Sequence, residues 1–99
     1  MLIYHIVLPD PWKSLEAKAD YIAESLGTEG FIHCSYAHQL DAVFKRYYAD
    51  AKKVIILEVD TERLSSRLIE EPSTNNEIYP HIYGPINRDA IVGVETREF

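Results

Sequence analysis

The sequence has a single cysteine, Cys34, so no internal disulfide can form. That fits a reducing compartment. Basic charge is scarce: Lys plus Arg number 10 against 16 Asp plus Glu, for a net charge of −6. A surface with that balance does not favour a polyanionic backbone, so no nucleic-acid partner is expected. The pairs Lys45-Arg46 and Lys52-Lys53 read as ordinary exposed charge, the first complementing the end of a helix. No apolar run approaches the ~18 residues that suggest a membrane-spanning helix, so no membrane partner is expected. The opening MLIYHIVLPDPW lacks a basic leader and its apolar run stops at Pro9, so it reads as a first strand and not a signal peptide. A cytoplasmic protein is the resulting expectation. Repeats, low-complexity tracts and interior linkers are also missing.

What is present suffices for one folded unit. With 99 residues and 46% hydrophobic content, the chain can build a core as a single domain over 1–99. LIYHIVL (2–8) is apolar on both faces except at His5, as in a strand buried on both sides. Asp10-Pro11 then reads as a cap followed by proline at the first helical position. Trp12, Leu15, Ala19, Ile22, Ala23 and Leu26 recur at helical spacing, and Gly27 follows. A helix is predicted over 11–26.

After Gly30 comes a short strand, FIHCS. Ser35 is expected to cap a second helix over 36–49, with Leu40, Val43, Phe44, Tyr47 and Tyr48 on its core face. VIILEV reads as a central strand. Asp60 is expected to cap a turn at TERL, and 66–76 to form a brief strand and an exposed loop. Pro80 restricts EIYPHIYG to an edge strand or a bulge. IVGVETREF reads as a last strand. Helices early and strands late predict an α+β fold.

Three histidines lie on predicted strands. Alternate strand residues share a face, so Phe31, His33 and Ser35 point one way, and Tyr79, His81 and Tyr83 also share a face. If His33 and His81 face one cavity, Ser35 and Tyr83 line it too. His5 is the polar residue of an apolar strand and needs a partner if buried. Together these residues outline an aromatic-walled pocket with imidazole and hydroxyl donors, suited to a nucleotide. The alternative is that each histidine is a satisfied structural residue. Zinc on His5, His33 and His81 is a further alternative, with an open fourth position. Cys34 points away from His33 and reads as a small buried hydrophobe. Glu71 is a candidate general acid/base, while Glu70 reads as exposed. Glu58 and His38 carry no assigned role, and Tyr47-Tyr48 reads as core.

Taken in order, IYHI, Trp12, GFIHCS with Gln39-Leu40, ILEVD, a Glu before the loop and PHIYGPI resemble the domain-of-unknown-function family 952 along nearly the whole chain. That family is similar in fold to the ADP-ribosyltransferases, which implies a compact split sheet with two early helices around an NAD-binding cleft. Tyr4-His5 resembles the Tyr-His-Gly-Thr strand with which such transferases hold the NAD ribose, although Ile6-Val7 stands here in place of Gly-Thr. His33-Cys34-Ser35 resembles the His-Leu-Ser strand of RNA 2′-phosphotransferases, without the arginines those enzymes use. The resemblance carries the fold and no established reaction.

The expected function is binding of a small-molecule nucleotide, NAD or an ADP-ribose derivative, with ADP-ribosyl-type transfer as one outcome. In that reading His5 orients a ribose, His33 and Ser35 bind phosphate or ribose oxygens, His81 and Tyr83 close the cleft, and Glu71 is the acid/base group. His33 and Glu71 carry the catalytic role. A non-catalytic ligand-binding module and a small interaction protein are the rival readings. The oligomeric state is open.

Overall fold

The apolar opening forms the strand expected of it. In the computed structural model, which describes residues 1–15 and 20–99, the chain runs through β1 (Leu2–Val7), α1 (Pro9–Leu15), β2 (Asp20–Tyr21), α2 (Glu24–Glu29), β3 (Ile32–His33), α3 (Leu40–Tyr47), β4 (Lys53–Asp60), β5 (Arg67–Pro72), β6 (Ile78–Tyr83), β7 (Ile86–Asn87) and β8 (Ile91–Glu98). Short 3-10 turns occupy Ala37–Gln39, Thr74–Asn76 and Arg88–Ala90. The fold is α+β, and its strand pairs are antiparallel.

Two three-stranded sheets, β1-β4-β8 and β3-β6-β5, carry most of the structure, and β2-β7 forms a small third. Among the described residues, a single bridge joins the two larger sheets. The amide of Tyr4 donates to the carbonyl of Ser35 at 2.8 Å, and the amide of Ser35 donates to the carbonyl of Tyr4 at 2.7 Å. Paired residues share a face, so the faces run across this joint. On one face, Ile3, Val7, Ile55, Leu57 and Val59 meet Ile32, Cys34 and Ile82, together with Trp12 and Tyr21. On the other, Ile6, Val54 and Ile56 pack under Val43 and Phe44 of α3, with Tyr79 alongside. The runs LIYHIV and KVIILEVD are apolar at successive positions because β1 and β4 are buried on both faces.

Several expectations need correction. No helix spans 11–26: α1 is described over Pro9–Leu15, Tyr21 lies in β2, and Ile22 is exposed. Tyr21 instead enters the core, beside Trp12 at 5.8 Å between ring centroids. Burial of that large side chain outweighs the helical pattern. The expected helical contact of Ala19 lies outside the described residues. Asp10 sits inside the first turn of α1 and not at its cap. Gly27 lies within α2, and the left-handed closing residue is Gly30 (φ 87°).

The second helix is shorter than 36–49, and Ser35 does not cap it, since Ser35 is engaged in the inter-sheet bridge. The entry is fixed instead by Gln39. Its Oε1 accepts from the Tyr36 amide at 2.9 Å, and its Nε2 donates to Glu77 at 2.7 Å and to the Ile78 carbonyl at 2.8 Å. Asp60 does close its turn, accepting from the Glu62 amide at 3.0 Å.

Pro80 lies in the central strand of its sheet and not at an edge. Its carbonyl accepts from the Cys34 amide at 3.1 Å, so its nitrogen faces the same side. There the ladder with β3 extends over only Ile32 and His33, so the missing donor falls just past its end.

Candidate functional site

The joint between the two sheets is held from inside by His5. Its Nδ1 lies 2.6 Å from the His33 carbonyl, which can only accept, so Nδ1 carries the proton and donates. Its Nε2 lies 2.8 Å from the Tyr21 hydroxyl. Burial lowers the His5 pKa from 6.5 to about 4, against the opposing effect of the His33 carbonyl. The ring is therefore neutral at pH 7, and Nε2 accepts the Tyr21 proton. Burial likewise raises the Tyr21 phenol pKa, keeping it a donor. Both His5 nitrogens are engaged, Nδ1 tying β1 to β3 and Nε2 tying it to Tyr21 of β2, which keeps His5 from joining His33 and His81 on zinc. Among the described residues, no group of three His, Cys, Asp or Glu side chains is arranged to hold a metal.

The outer face of the second sheet carries the other two histidines. The register sets His33 opposite His81, and His81 opposite Ile69. The two imidazoles meet edge to face at 5.3 Å. Phe31 stacks on His81, with centroids 4.2 Å apart and planes 21° from parallel. His81 Nδ1 donates to Glu71 Oε1 at 2.7 Å, and the Tyr83 hydroxyl donates to the same oxygen. These two donors hold the Glu71 carboxyl below its usual pKa, Tyr83 contributing most. The same bond raises the Tyr83 phenol.

His81 is 3% exposed, and its Nε2 is buried with no hydrogen-bond partner among the described residues. His33 differs in exposure: its Nε2 donates to Glu29 at 2.9 Å at the surface. The face thus carries two imidazole–carboxylate pairs side by side, one exposed and one buried under Phe31.

A cleft of about 460 Å³ opens beside α3 where the two sheets meet, with residues of both sheets in its lining. His33, Ser35, Glu29, Tyr47, Tyr48 and Tyr79 are among its lining residues. Across it, the Tyr47 and Thr74 hydroxyls hydrogen-bond at 2.7 Å, tying α3 to the β5–β6 turn. Asn75 and Asn76 hold that turn with φ of 58° and 60°, a region Asn tolerates better than most residues. Among the described residues, no lysine or arginine lines the cleft. Arg46 meets its wall from outside, donating to the Tyr79 hydroxyl at 3.4 Å.

Of the residues singled out from sequence, His33, Cys34, Ser35, Tyr47, Tyr48 and Tyr79 line the cleft. Glu71, His81 and Tyr83 form a connected group beside it, reached through His33. His5 lies behind the sheet joint. Glu70 is exposed, as expected, and accepts the Tyr36 hydroxyl. Cys34 is buried in the core, and burial pushes its thiol pKa up. Tyr47 corrects the sequence reading: it was expected in the core and is 60% exposed at the cleft. Glu29 and Thr74 were not anticipated at the site. Only the separation of Glu29 and His33 by four positions hinted at their contact.

Similar architecture is known in the protein CC0527 from Caulobacter crescentus. Its crystal structure is 24% identical, with a TM-score of 0.85, and the match covers 97% of this chain and 85% of that one. Its solution NMR structure is also 24% identical, with a TM-score of 0.80 and coverage of 95% and 82%. At this identity the likeness is one of fold. No curated protein matches the chain. A family model described as "Protein of unknown function (DUF952)" matches residues 6–94, and the chain belongs to that family.

Proposed function

We propose that the cleft binds the nucleoside part of a nucleotide or NAD-derived ligand. The observation that carries this reading is an aromatic-walled cleft at the split between two sheets, with hydroxyl and imidazole groups on its floor. Its volume of about 460 Å³ falls within the range of small-molecule sites. Tyr47, Tyr48 and Tyr79 offer ring faces for a base, and Ser35, His33 and Glu29 offer partners for ribose hydroxyls. With no lysine or arginine among the described lining residues, the interior does not favour a pyrophosphate. Such a group would remain at the rim, toward Arg46.

The sheet split also supports the likeness to ADP-ribosyltransferases and, with it, ADP-ribosyl-type transfer as the reaction. His33 and Glu71 are the proposed acid/base residues, with Ser35, His81 and Tyr83 binding ligand and His5 positioning the His33 strand. A second reading, binding without turnover, is favoured by one observation: Glu71 and His81 lie beside the cleft and are not among the residues lining it.

Isothermal titration with ADP-ribose, NAD and adenosine tests the common ground. Saturable binding that Tyr47→Ala and His33→Ala each weaken about tenfold, the scale of one lost hydrogen bond or ring contact, is expected. Absence of binding at millimolar ligand would sink the proposal. Release of nicotinamide from bound NAD separates turnover from binding alone.

A further inference from the structure

The His81 imidazole has an unusual environment for a structural residue. Its ring is held on three sides: by Glu71 at Nδ1, by Phe31 on its face and by the edge of His33. Yet Nε2 is buried and unpartnered among the described residues. A buried polar atom left unpaired destabilises the fold, and apolar side chains of similar shape would avoid that cost. The Glu71 carboxylate can only accept, so it fixes the ring proton on Nδ1. In the neutral ring, Nε2 is then a pure acceptor.

We infer that His81 Nε2 is a built acceptor for a ligand hydroxyl, oriented by Glu71 and covered in the free protein by Phe31. The inference deepens the nucleoside reading above by naming which ligand group is taken. An acceptor-only nitrogen selects an O–H donor and offers nothing to a phosphate or carbonyl oxygen. The nearby carboxylates Glu29 and Glu71 act in the same direction, repelling anions and accepting from donors. A ribose, with adjacent hydroxyl donors, matches this pair of features. Phe31 is half-buried and precedes the two-residue strand β3, so moving its ring uncovers Nε2 without breaking a long ladder. Glu71 acts here as a positioning residue, through the tautomer it imposes.

Long-range proton–nitrogen NMR of the histidine rings tests this directly, using adenosine, ADP-ribose and inorganic phosphate as probes. In the free protein, the neutral His81 ring is expected to carry its proton at Nδ1 and none at Nε2. Glu71→Ala should redistribute that tautomer, which loss of a merely structural contact would not require. Adenosine and ADP-ribose should shift the His81 Nε2 resonance saturably, while phosphate should leave it unmoved. His81→Phe preserves the stack with Phe31 and should weaken adenosine binding at least about tenfold. Shifts at Tyr47 and Ser35 without any at His81 would overturn this inference and leave the nucleoside reading standing. Silence at every site would overturn both. A response of His81 to phosphate, or a free protein with Nε2 protonated, would overturn the acceptor assignment alone.

Discussion

At the scale of single residues, His5 couples the site to pH. Its folded-state pKa lies near 4, against 6.5 when free. Between those values the unfolded chain binds a proton that the folded chain does not. The stabilisation from a neutral His5 is therefore intact above pH 6.5 and is lost as pH falls toward 4. The full interval corresponds to about 3 kcal/mol. Urea unfolding midpoints should fall steadily from pH 7 to pH 5, before most carboxylates titrate. His5→Gln, which cannot titrate, should flatten that slope; an equally steep slope in the variant would place its origin elsewhere. The sequence marked His5 as an oddity in an apolar strand but did not disclose its partners. Tyr21 and the His33 carbonyl lie 16 and 28 positions away, and only the folded register brings them together. His33 and His81 were more legible, because strand alternation alone put each on a face with its aromatic neighbours.

At the scale of elements, Gln39 decides how the cleft is framed. It joins the entry of α3 to the start of β6, and so sets the helix edge that forms one cleft wall. Gln39→Leu keeps much of the volume but leaves the Tyr36 amide and the Ile78 carbonyl without their partner. A loss of about 2 kcal/mol is expected for two partly buried groups left unpaired, read as a shift in the denaturant midpoint. A change below about 1 kcal/mol, the worth of one ordinary hydrogen bond, would mean that water replaces the amide. Strands β1 and β4 were legible because continuous apolar runs have few other uses. The stretch after Trp12 was not. Ile22 and Ala23 fit a helix, yet Tyr21 is 1% exposed in the core while Ile22 is 50% exposed. A periodic pattern records what could be buried together. It does not record that His5 needs a hydroxyl. Pro80 misled for a related reason: whether a proline tolerates a central strand depends on where the neighbouring ladder ends.

At the scale of the whole molecule, β4 serves two cores at once. Ile55, Leu57 and Val59 point into one, while Val54 and Ile56 point into the other under α3. Neither core can open without exposing residues on the strand that supports its counterpart. That arrangement argues for a single cooperative transition, as small domains usually show. Trp12 reports on the first core and Phe44 on the second, so tryptophan fluorescence and the Phe44 ring resonances should melt together. Leu57→Ala and Ile56→Ala each create a cavity in a different core and should cost about 3 kcal/mol. Both probes should shift by the same amount in either variant. If Ile56→Ala moved only the Phe44 signals, α3 would unfold independently of the rest. The cleft wall would then be a separately melting unit, and ligand binding would be coupled to the ordering of that helix.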